Sequence, residues 1–337
     1  MRIVDIRTEV ALCGTICLDV SGSVSRIPHD VQTHSGLEYL KKCPAGVRVA
    51  FRTNSKVIKV AFNQVGQASG TDTFSAFSIG AFDIVTNGVM RRPFSLLWCK
   101  TFDDSYTTYS LGGDVNDVVV YMPTYSICPE FNIYVDDYSY CAPIVYQKKL
   151  LFYGTSITQG AASCRPALNY ASRLCAMLGC DYYNFGFGGN AIGDHRMVGI
   201  LKSIDSDLYI IKSARQAYGN VKHNIVRMVR EIKEVDVNRS ILIISALGDQ
   251  FEVDMFNGSV SLDKRRKLAF EAYDILRKEF SNIYFADGLE LLSGIESDLF
   301  HDGVHPNSIG HKSIASRLFP IVQSILARSK TSPNEIC

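Results

Sequence analysis

The strongest constraint on the fold is a change in the pattern of apolar and polar residues near residue 148. From there to residue 326, short apolar segments alternate with longer amphipathic ones. The predicted strands are residues 150–153, 182–185, 208–211, 241–245 and 283–285, and the predicted helices are residues 166–178, 221–233, 262–280 and 309–326. Such alternation predicts an α/β domain whose parallel sheet is covered on both faces. Ligands then bind at the carboxyl ends of the strands.

The first part of the chain has a different pattern. Short apolar or alternating runs occupy residues 47–51, 57–62, 74–79, 82–86, 118–122 and 131–135, with turn signals such as Asn87-Gly88 between them. Many short strands at this spacing predict an all-β sandwich or jelly-roll-like domain. A length of 337 residues accommodates two domains. We therefore predict a β domain over residues 1–147, an α/β domain over 148–330 and a flexible tail over 331–337.

Charge and cysteine content exclude several classes of protein. Thirty-five Lys and Arg against 34 Asp and Glu leave a net charge of +1, so no global field attracts nucleic acid or an anionic membrane. No apolar run approaches the ~20 residues of a membrane span. Asp5 and Glu9 interrupt the segment where a signal peptide needs an apolar core. Ten cysteines without a C-x-x-C pair predict reduced thiols in a cytoplasmic protein.

Three residues suggest nucleophilic catalysis, which requires a nucleophile, a base and a group that orients the base. Ser156 follows the first strand of the α/β domain, and Asp302 precedes His305 by three residues. Taken singly, Ser156 also fits a helix N-cap, and Asp302 with His305 fits an Asx turn beside a surface histidine. A metal site built from His301, Asp302, His305 and His311 is a weaker interpretation, because all four are crowded into one short segment.

Glycines follow the second strand of the α/β domain. Gly186, Gly188 and Gly189 allow a sharp turn and expose backbone N–H groups. The spacing is not G-x-G-x-x-G, and no acidic residue follows at the distance that ribose binding needs, so nucleotide binding is disfavoured. A glycine-rich segment by itself predicts only a turn.

Together, three segments of the α/β domain strongly resemble the SGNH, or GDSL-like, hydrolase superfamily. They read G-T-S-I-T-Q-G at 154–160, N-F-G-F-G-G-N at 184–190 and D-G-V-H-P at 302–306, and the resemblance covers about residues 149–327. Residues 47–55 and 80–84 look more loosely like the β-rich domain that precedes one branch of these hydrolases, with its G-x-D-L-Y signature. Here Gly80 and Asp83 are one residue further apart, and Ile-Val replaces Leu-Tyr.

The resemblance implies a flavodoxin-like three-layer fold that needs neither a metal nor an organic cofactor. It implies that Ser156 is the nucleophile, that His305 is the base and that Asp302 orients the base. It also implies that the backbone N–H groups of Ser156 and Gly189 line the oxyanion hole. Thr155 and Asn190, which flank these residues, are expected to contact the substrate.

The loop after the third strand departs from the superfamily pattern. The superfamily places an Asn side chain there as a further oxyanion donor, whereas residues 210–217 read I-I-K-S-A-R-Q-A. Gln216 falls closest to the expected place and carries the same amide on a stem one methylene longer, and Asn220 lies four residues on. Loss of one such donor costs ~10²–10³ in rate in other acyl-transfer enzymes, so the departure predicts an impaired enzyme unless Gln216 serves.

The leading functional prediction is a serine esterase that cleaves small O-acyl esters, with O-acetyl groups on a carbohydrate as the expected substrates. The expected partners are therefore small-molecule or glycan esters, without nucleic acid. An O-acyltransferase with the same triad is one alternative. A catalytically weakened glycan-binding protein on a hydrolase scaffold is the other, and the missing Asn motivates it.

Overall fold

The computed structural model describes residues 1–18, 24–28, 30–62, 74–95, 105–128, 130–212, 221–253 and 262–328. The chain forms two compact units. The β-rich unit comprises Met1–Gln147 and Gly160–Asn169, and the α/β unit comprises Lys148–Gln159 and Tyr170–Cys337. The predicted tail at 331–337 lies outside the described residues, and the predicted domain limits stay a prediction.

Two antiparallel sheets and a short strand pair make up the β-rich unit. One sheet has the order β1-β12-β6-β10, and the other has the order β13-β5-β11-β7-β8, with β2 beside β5 and β9 beside β7, while β3 pairs with β4. The strands are β1 (Arg2–Ile3), β2 (Ala11–Cys13), β3 (Cys17–Leu18), β4 (Val24–Ser25), β5 (Arg48–Thr53), β6 (Val57–Phe62), β7 (Ala81–Thr86), β8 (Val89–Met90), β9 (Phe94–Ser95), β10 (Tyr106–Ser110), β11 (Asn116–Tyr121), β12 (Phe131–Val135) and β13 (Cys141–Pro143).

Side-chain alternation explains how these two sheets share one core. In β6, Ile58, Val60 and Phe62 are buried while the residues between them are half-buried. They pack in one apolar cluster with Phe51 of β5 and Val118 of β11, which belong to the other sheet. The period of two along each strand therefore produces the predicted all-β unit.

One predicted strand is wrong. Residues 74–79 were expected to be extended, but helix α1 spans Ala76–Gly80. Ser75 is in an extended conformation and its hydroxyl accepts a hydrogen bond from the Ser78 N–H at 3.1 Å, which is an N-cap contact. The local cap outweighs the strand preference of the apolar residues.

The α/β unit contains one parallel sheet of order β15-β14-β16-β17-β18. The expected α/β fold is therefore confirmed. The strands are β14 (Lys149–Gly154), β15 (Asp181–Gly186), β16 (Leu208–Lys212), β17 (Ile241–Ile244) and β18 (Ile283–Ala286), and the helices are α2 (Ser156–Gln159), α3 (Tyr170–Leu178), α4 (His195–Ser203), α5 (Val221–Lys233), α6 (Gln250–Val253), α7 (Leu262–Glu279), α8 (Gly288–Leu291) and α9 (Ser308–Arg328).

Both faces of this sheet are buried. Phe152 and Ile210 pack with Leu174 of α3 and Leu318 of α9 in one apolar cluster. All residues of β16 and β17 are buried, including those that point away from that cluster. Helix α5 contacts both α4 and α7, and α7 also contacts β17 and β18. Covered faces explain why these strands read as continuous apolar runs. No helix within the described ranges combines the length and apolar composition that a membrane crossing requires.

Several helices differ from prediction, and the short helices α6 and α8 were not predicted. The expected helix at 166–178 is divided, because a 3₁₀ turn over Pro166–Leu168 is followed by extended Asn169, whose side-chain amide donates to the Pro166 carbonyl at 3.0 Å. The sequence reading also missed α4, which begins where Asp194 accepts the Met197 N–H at 3.2 Å. The other predicted helices begin and end within one or two residues of those observed.

Residues 160–169 interrupt the α/β unit in sequence but belong to the β-rich unit. Asp83 of β7 is the residue that resembles the aspartate of the G-x-D-L-Y signature, and it is fully buried in the β-rich unit. Its carboxylate accepts hydrogen bonds from Arg165 Nε at 2.5 Å and from the Ala167 N–H at 2.9 Å. Burial raises the pKa of Asp83, and the ion pair with Arg165 opposes that rise. This acid therefore fastens the segment to the β-rich unit.

Candidate active site

Ser156 lies at the carboxyl end of β14, as the sequence predicts. The strand ends at Gly154, the buried Thr155 follows, and Ser156 is the first residue of α2. A Cβ atom on Gly154 would lie 2.2 Å from Thr158 Oγ1, so only glycine allows α2 to fold back this closely onto the strand. The tight turn leaves Ser156 half-buried, while the next three residues are buried.

His305 and Asp302 share the tight loop before α9. One carboxylate oxygen of Asp302 accepts the backbone N–H groups of His305 at 2.7 Å and Val304 at 3.0 Å. The other oxygen lies 2.7 Å from His305 Nδ1. Burial alone would raise the pKa of Asp302, but these hydrogen bonds outweigh it, and the pKa lies below its ordinary value. Asp302 therefore carries a negative charge beside the imidazole at neutral pH.

The side chain of His305 reaches Ser156. Its Nε2 lies 2.9 Å from Ser156 Oγ. With Nδ1–H donating to the Asp302 carboxylate, Nε2 is left as an acceptor for the serine hydroxyl. The structure thus brings together the three residues predicted for the triad, in the serine–imidazole–carboxylate order that nucleophilic catalysis needs.

The glycine-rich loop lies directly against the serine helix. The Phe187 N–H donates to the Gly154 carbonyl at 2.9 Å, and the Gly188 N–H donates to Gln159 Oε1 at 2.8 Å. Asn184 of β15 donates through its side-chain amide to the Thr158 carbonyl at 2.8 Å. These bonds fix the loop at the carboxyl end of the sheet, next to the residue predicted as nucleophile.

Comparison with known proteins places this arrangement in a family. The model of the GDSL-like lipase/acylhydrolase family matches residues 147–323, which is more than half of the chain. The chain belongs to that family. No match was found among curated protein sequences. The matched range of this GDSL-like hydrolase includes the segments around Ser156, the glycine-rich loop and His305.

Several solved structures are similar to this hydrolase over both of its units. A GDSL-like lipase from Bacteroides ovatus has a TM-score of 0.80 at 20% identity, covering 97% of this chain and 98% of its own. A salicylyl-acyltransferase from a tetracycline biosynthetic pathway has a TM-score of 0.78 at 18% identity, covering 96% of both chains. An acetyl xylan esterase from the rumen bacterium Butyrivibrio proteoclasticus has a TM-score of 0.61 at 14% identity, covering 97% of this chain and all of its own. These likenesses establish the shared fold.

The other predicted site residues of the hydrolase have different surroundings. Thr155 is only 4% exposed, and its carbonyl accepts the Gln159 N–H at 2.9 Å. The side-chain amide of the half-buried Asn190 donates to the Gly188 carbonyl at 2.7 Å. Gln216 and Asn220 fall in residues 213–220, outside the described part of the chain. Substrate contact by Thr155 and Asn190, and an oxyanion role for Gln216, stay predictions.

The histidines considered for a metal do not converge. His311 is fully buried in α9, where its Nδ1 accepts the Tyr170 N–H at 3.2 Å and its ring stacks on the Tyr170 ring. Among the described residues, no group of three or more His, Cys, Asp or Glu side chains is arranged to hold a metal ion. His311 therefore helps to pack α9 against α3.

Sequence reasoning missed two buried polar residues near Ser156. Gln159, at the end of α2, is fully buried and contacts the glycine loop, yet an amide at that position matches no spacing rule. Lys212 ends β16 next to Gly154, and burial lowers its pKa to about 8. A charged residue at the end of an apolar strand was the available signal for Lys212, since lysine is rarely buried.

Proposed function

We propose that this GDSL-like hydrolase is a serine esterase that cleaves small O-acyl esters, with O-acetyl groups on carbohydrates as its substrates. The observation that carries the proposal is the 2.9 Å separation of Ser156 Oγ and His305 Nε2. A serine hydroxyl at hydrogen-bond distance from an imidazole that also contacts a carboxylate is the arrangement that activates serine for acyl transfer.

The contacts of Ser156, His305 and Asp302 support a reaction through an acyl-serine intermediate. Ser156 Oγ attacks the ester carbonyl carbon while its proton passes to His305 Nε2. The carbonyl oxygen becomes negative and accepts hydrogen bonds from the N–H groups of Ser156 and Gly189. Asp302, whose pKa is low, stabilises the imidazolium. His305 then protonates the leaving alcohol, and water, deprotonated by His305, releases the acyl group from Ser156.

The carbohydrate substrate is supported by structural relatives. Proteins of the same fold include the acetyl xylan esterase named above and a family two carbohydrate esterase from Clostridium thermocellum in complex with cellohexaose, which covers 84% of this chain at a TM-score of 0.61. An acetyl group needs little space at the half-buried Ser156, because the bulk of the ester lies on the sugar side.

The test measures acetate release from 4-nitrophenyl acetate and from acetylated xylo-oligosaccharides. The wild type is expected to hydrolyse both. Ser156→Ala is expected to lose nearly all activity, because triad losses in other hydrolases reach ~10⁴–10⁶ in kcat. Ser324→Ala, on the exposed surface of α9, is the matched control and retains full activity. A Ser156→Ala enzyme with more than about a tenth of wild-type kcat would contradict the proposal.

An O-acyltransferase is the second candidate, and the likeness to the salicylyl-acyltransferase over both units favours it. The same acyl-serine intermediate forms, but a sugar or other hydroxyl replaces water in the second step. Incubation with an activated acyl ester and a sugar acceptor, followed by mass spectrometry, separates the two. Acylated sugar in excess over free acid would identify a transferase.

A further inference from the structure

Gln159 is a buried amide at the junction of the serine helix and the glycine loop. It ends α2, three residues after Ser156, and none of its surface is exposed. Its Oε1 accepts the Gly188 N–H at 2.8 Å. Loss of this bond would leave the N–H of the half-buried Gly188 without its Gln159 partner. The contact therefore ties the loop firmly to the helix.

The backbone of α2 at Thr158 and Gln159 packs closely against the end of β15. A Cβ on Gly186 would lie 2.1 Å from the Gln159 nitrogen and 2.5 Å from the Thr158 carbonyl carbon. Asn184 adds a second link, because its amide donates to the Thr158 carbonyl and its oxygen accepts the Gly186 N–H at 2.9 Å. Helix α2 and the end of β15 are thus held together by close packing and hydrogen bonds, and from this junction Gln159 reaches Gly188.

The next residue of the loop is Gly189. Within the described part of the chain, no protein group accepts a hydrogen bond from its N–H. The peptide group between Gly188 and Gly189 is fixed on one side by the contact of Gly188 with Gln159, and on the other by the Asn190 amide, which donates to the Gly188 carbonyl at 2.7 Å.

We propose that Gln159 is a positioning residue for the oxyanion hole, holding Gly188 so that the N–H of Gly189 meets the reacting carbonyl oxygen. This inference rests on the proposed esterase function and adds a determinant of its rate. Gln159 acts through Gly188 and does not touch the substrate. Gln159 therefore stabilises the transition state, in which the oxygen carries negative charge, more than it strengthens substrate binding.

The test compares an ester with its thionoester, in which sulfur replaces the carbonyl oxygen. Sulfur accepts hydrogen bonds weakly, so an intact oxyanion hole favours the oxygen substrate. Gln159→Met removes the acceptor at nearly constant length. It is expected to lower kcat for the ester about tenfold or more, with little change in KM, and to lower the oxygen-to-sulfur ratio of kcat/KM by a similar factor. A merely structural role would slow both substrates equally.

Two further variants complete the experiment. Gln159→Asn keeps the amide but withdraws its oxygen by one methylene, and is expected to lower the ratio in the same direction should Gln159→Met fold poorly. Gln323→Met, on the exposed surface of α9, is the matched control and keeps the wild-type ratio. An active wild type with an unchanged ratio in the Gln159 variants overturns the positioning role alone. A wild type without Ser156-dependent hydrolysis overturns the proposed function, and the positioning role with it.

Discussion

Ser156 Oγ and His305 Nε2 lie 2.9 Å apart, although 149 positions separate the two residues in the chain. The first follows β14, an inner strand of the parallel sheet, and the second lies in the loop before α9. A sheet that gathers loops at its carboxyl edge makes such a meeting possible. The proposed esterase depends on this one contact.

The acid limb of the pH profile tests the role of Asp302. Hydrolysis needs His305 neutral and Asp302 ionised, and the pKa of Asp302 lies below its ordinary value, so above about pH 5 Asp302 stays ionised. We expect log kcat/KM to rise with a slope of one as pH increases through the acid limb. A slope of two would mean that Asp302 titrates in the same range. Loss of activity on chelation would indicate a metal mechanism instead.

Substitution of Asp302 tests the same carboxylate directly. Asp302→Asn is expected to lower kcat by ~10⁴, the loss seen when a triad aspartate of another hydrolase becomes asparagine. Asp298→Asn, in the exposed turn before the loop, is the matched control and stays within about twofold of wild type. Steady-state kinetics that show equal rates for both variants would exclude Asp302 from the mechanism.

Gln216 tests the unusual third loop. If its amide donates to the oxyanion, Gln216→Ala lowers kcat at least about tenfold and raises KM less. Gln216→Asn lowers activity if the loop fits the longer side chain, and raises it if the loop keeps the usual geometry. Unchanged kcat in both variants would move the donor to a group such as Asn190 or Asn220. An inactive wild type that gains hydrolysis on Gln216→Asn would support the glycan-binding alternative.

The buried ion pair of the β-rich unit predicts a stability effect. Asp83 is fully buried, and its partner Arg165 is 18% exposed. Removing one partner of a buried pair leaves an uncompensated charge, so Asp83→Ala is expected to lower the free energy of unfolding by about 3 kcal/mol. Asp117→Ala, which breaks an exposed pair with Arg52, is the control and is expected to destabilise the protein far less, because solvent screens exposed pairs. Equal urea midpoints for the two variants would contradict this account.

Cysteine reactivity tests the predicted reducing compartment. All ten cysteines are expected to react as thiols in denaturant without reductant. In the native protein, Cys43 and Cys180 react slowly, because burial raises the pKa of each thiol to about 11, whereas the exposed Cys164 reacts before either of them. Mass spectrometry of alkylated peptides measures which cysteines react in the denatured and in the native protein. Several disulfides in an unoxidised sample would refute the cytoplasmic prediction.

The sequence predicts strands well where burial is complete. Strands β14, β16 and β17 contain continuous apolar runs because both faces of the sheet are covered there, and all five strands of the parallel sheet were found at their predicted places. Local polar contacts caused the errors. The Ser75 cap turned a predicted strand into α1, and Asp194 started α4, whose buried residues Met197, Val198 and Leu201 are too few to give a strong period.

The site was less predictable than the fold. The spacing of Asp302 and His305 predicted that these two residues lie together. No local pattern connects either residue with Ser156, and only the family resemblance predicted that connection. Gln159 could not be recognised, because its importance depends on the close approach of two backbones at Gly186. Such contacts are made in the tertiary structure and leave no periodic trace in the sequence.

Covalent labelling is the most direct test of Ser156 as the nucleophile. A fluorophosphonate reacts only with a serine that a neighbouring base activates, and Ser156 Oγ is 2.9 Å from His305 Nε2. Peptide mass spectrometry after labelling is expected to find the adduct on Ser156 alone, in step with the loss of hydrolysis, and His305→Ala is expected to abolish it. An adduct on another serine, or full hydrolysis with Ser156 unmodified after complete reaction, would contradict the account.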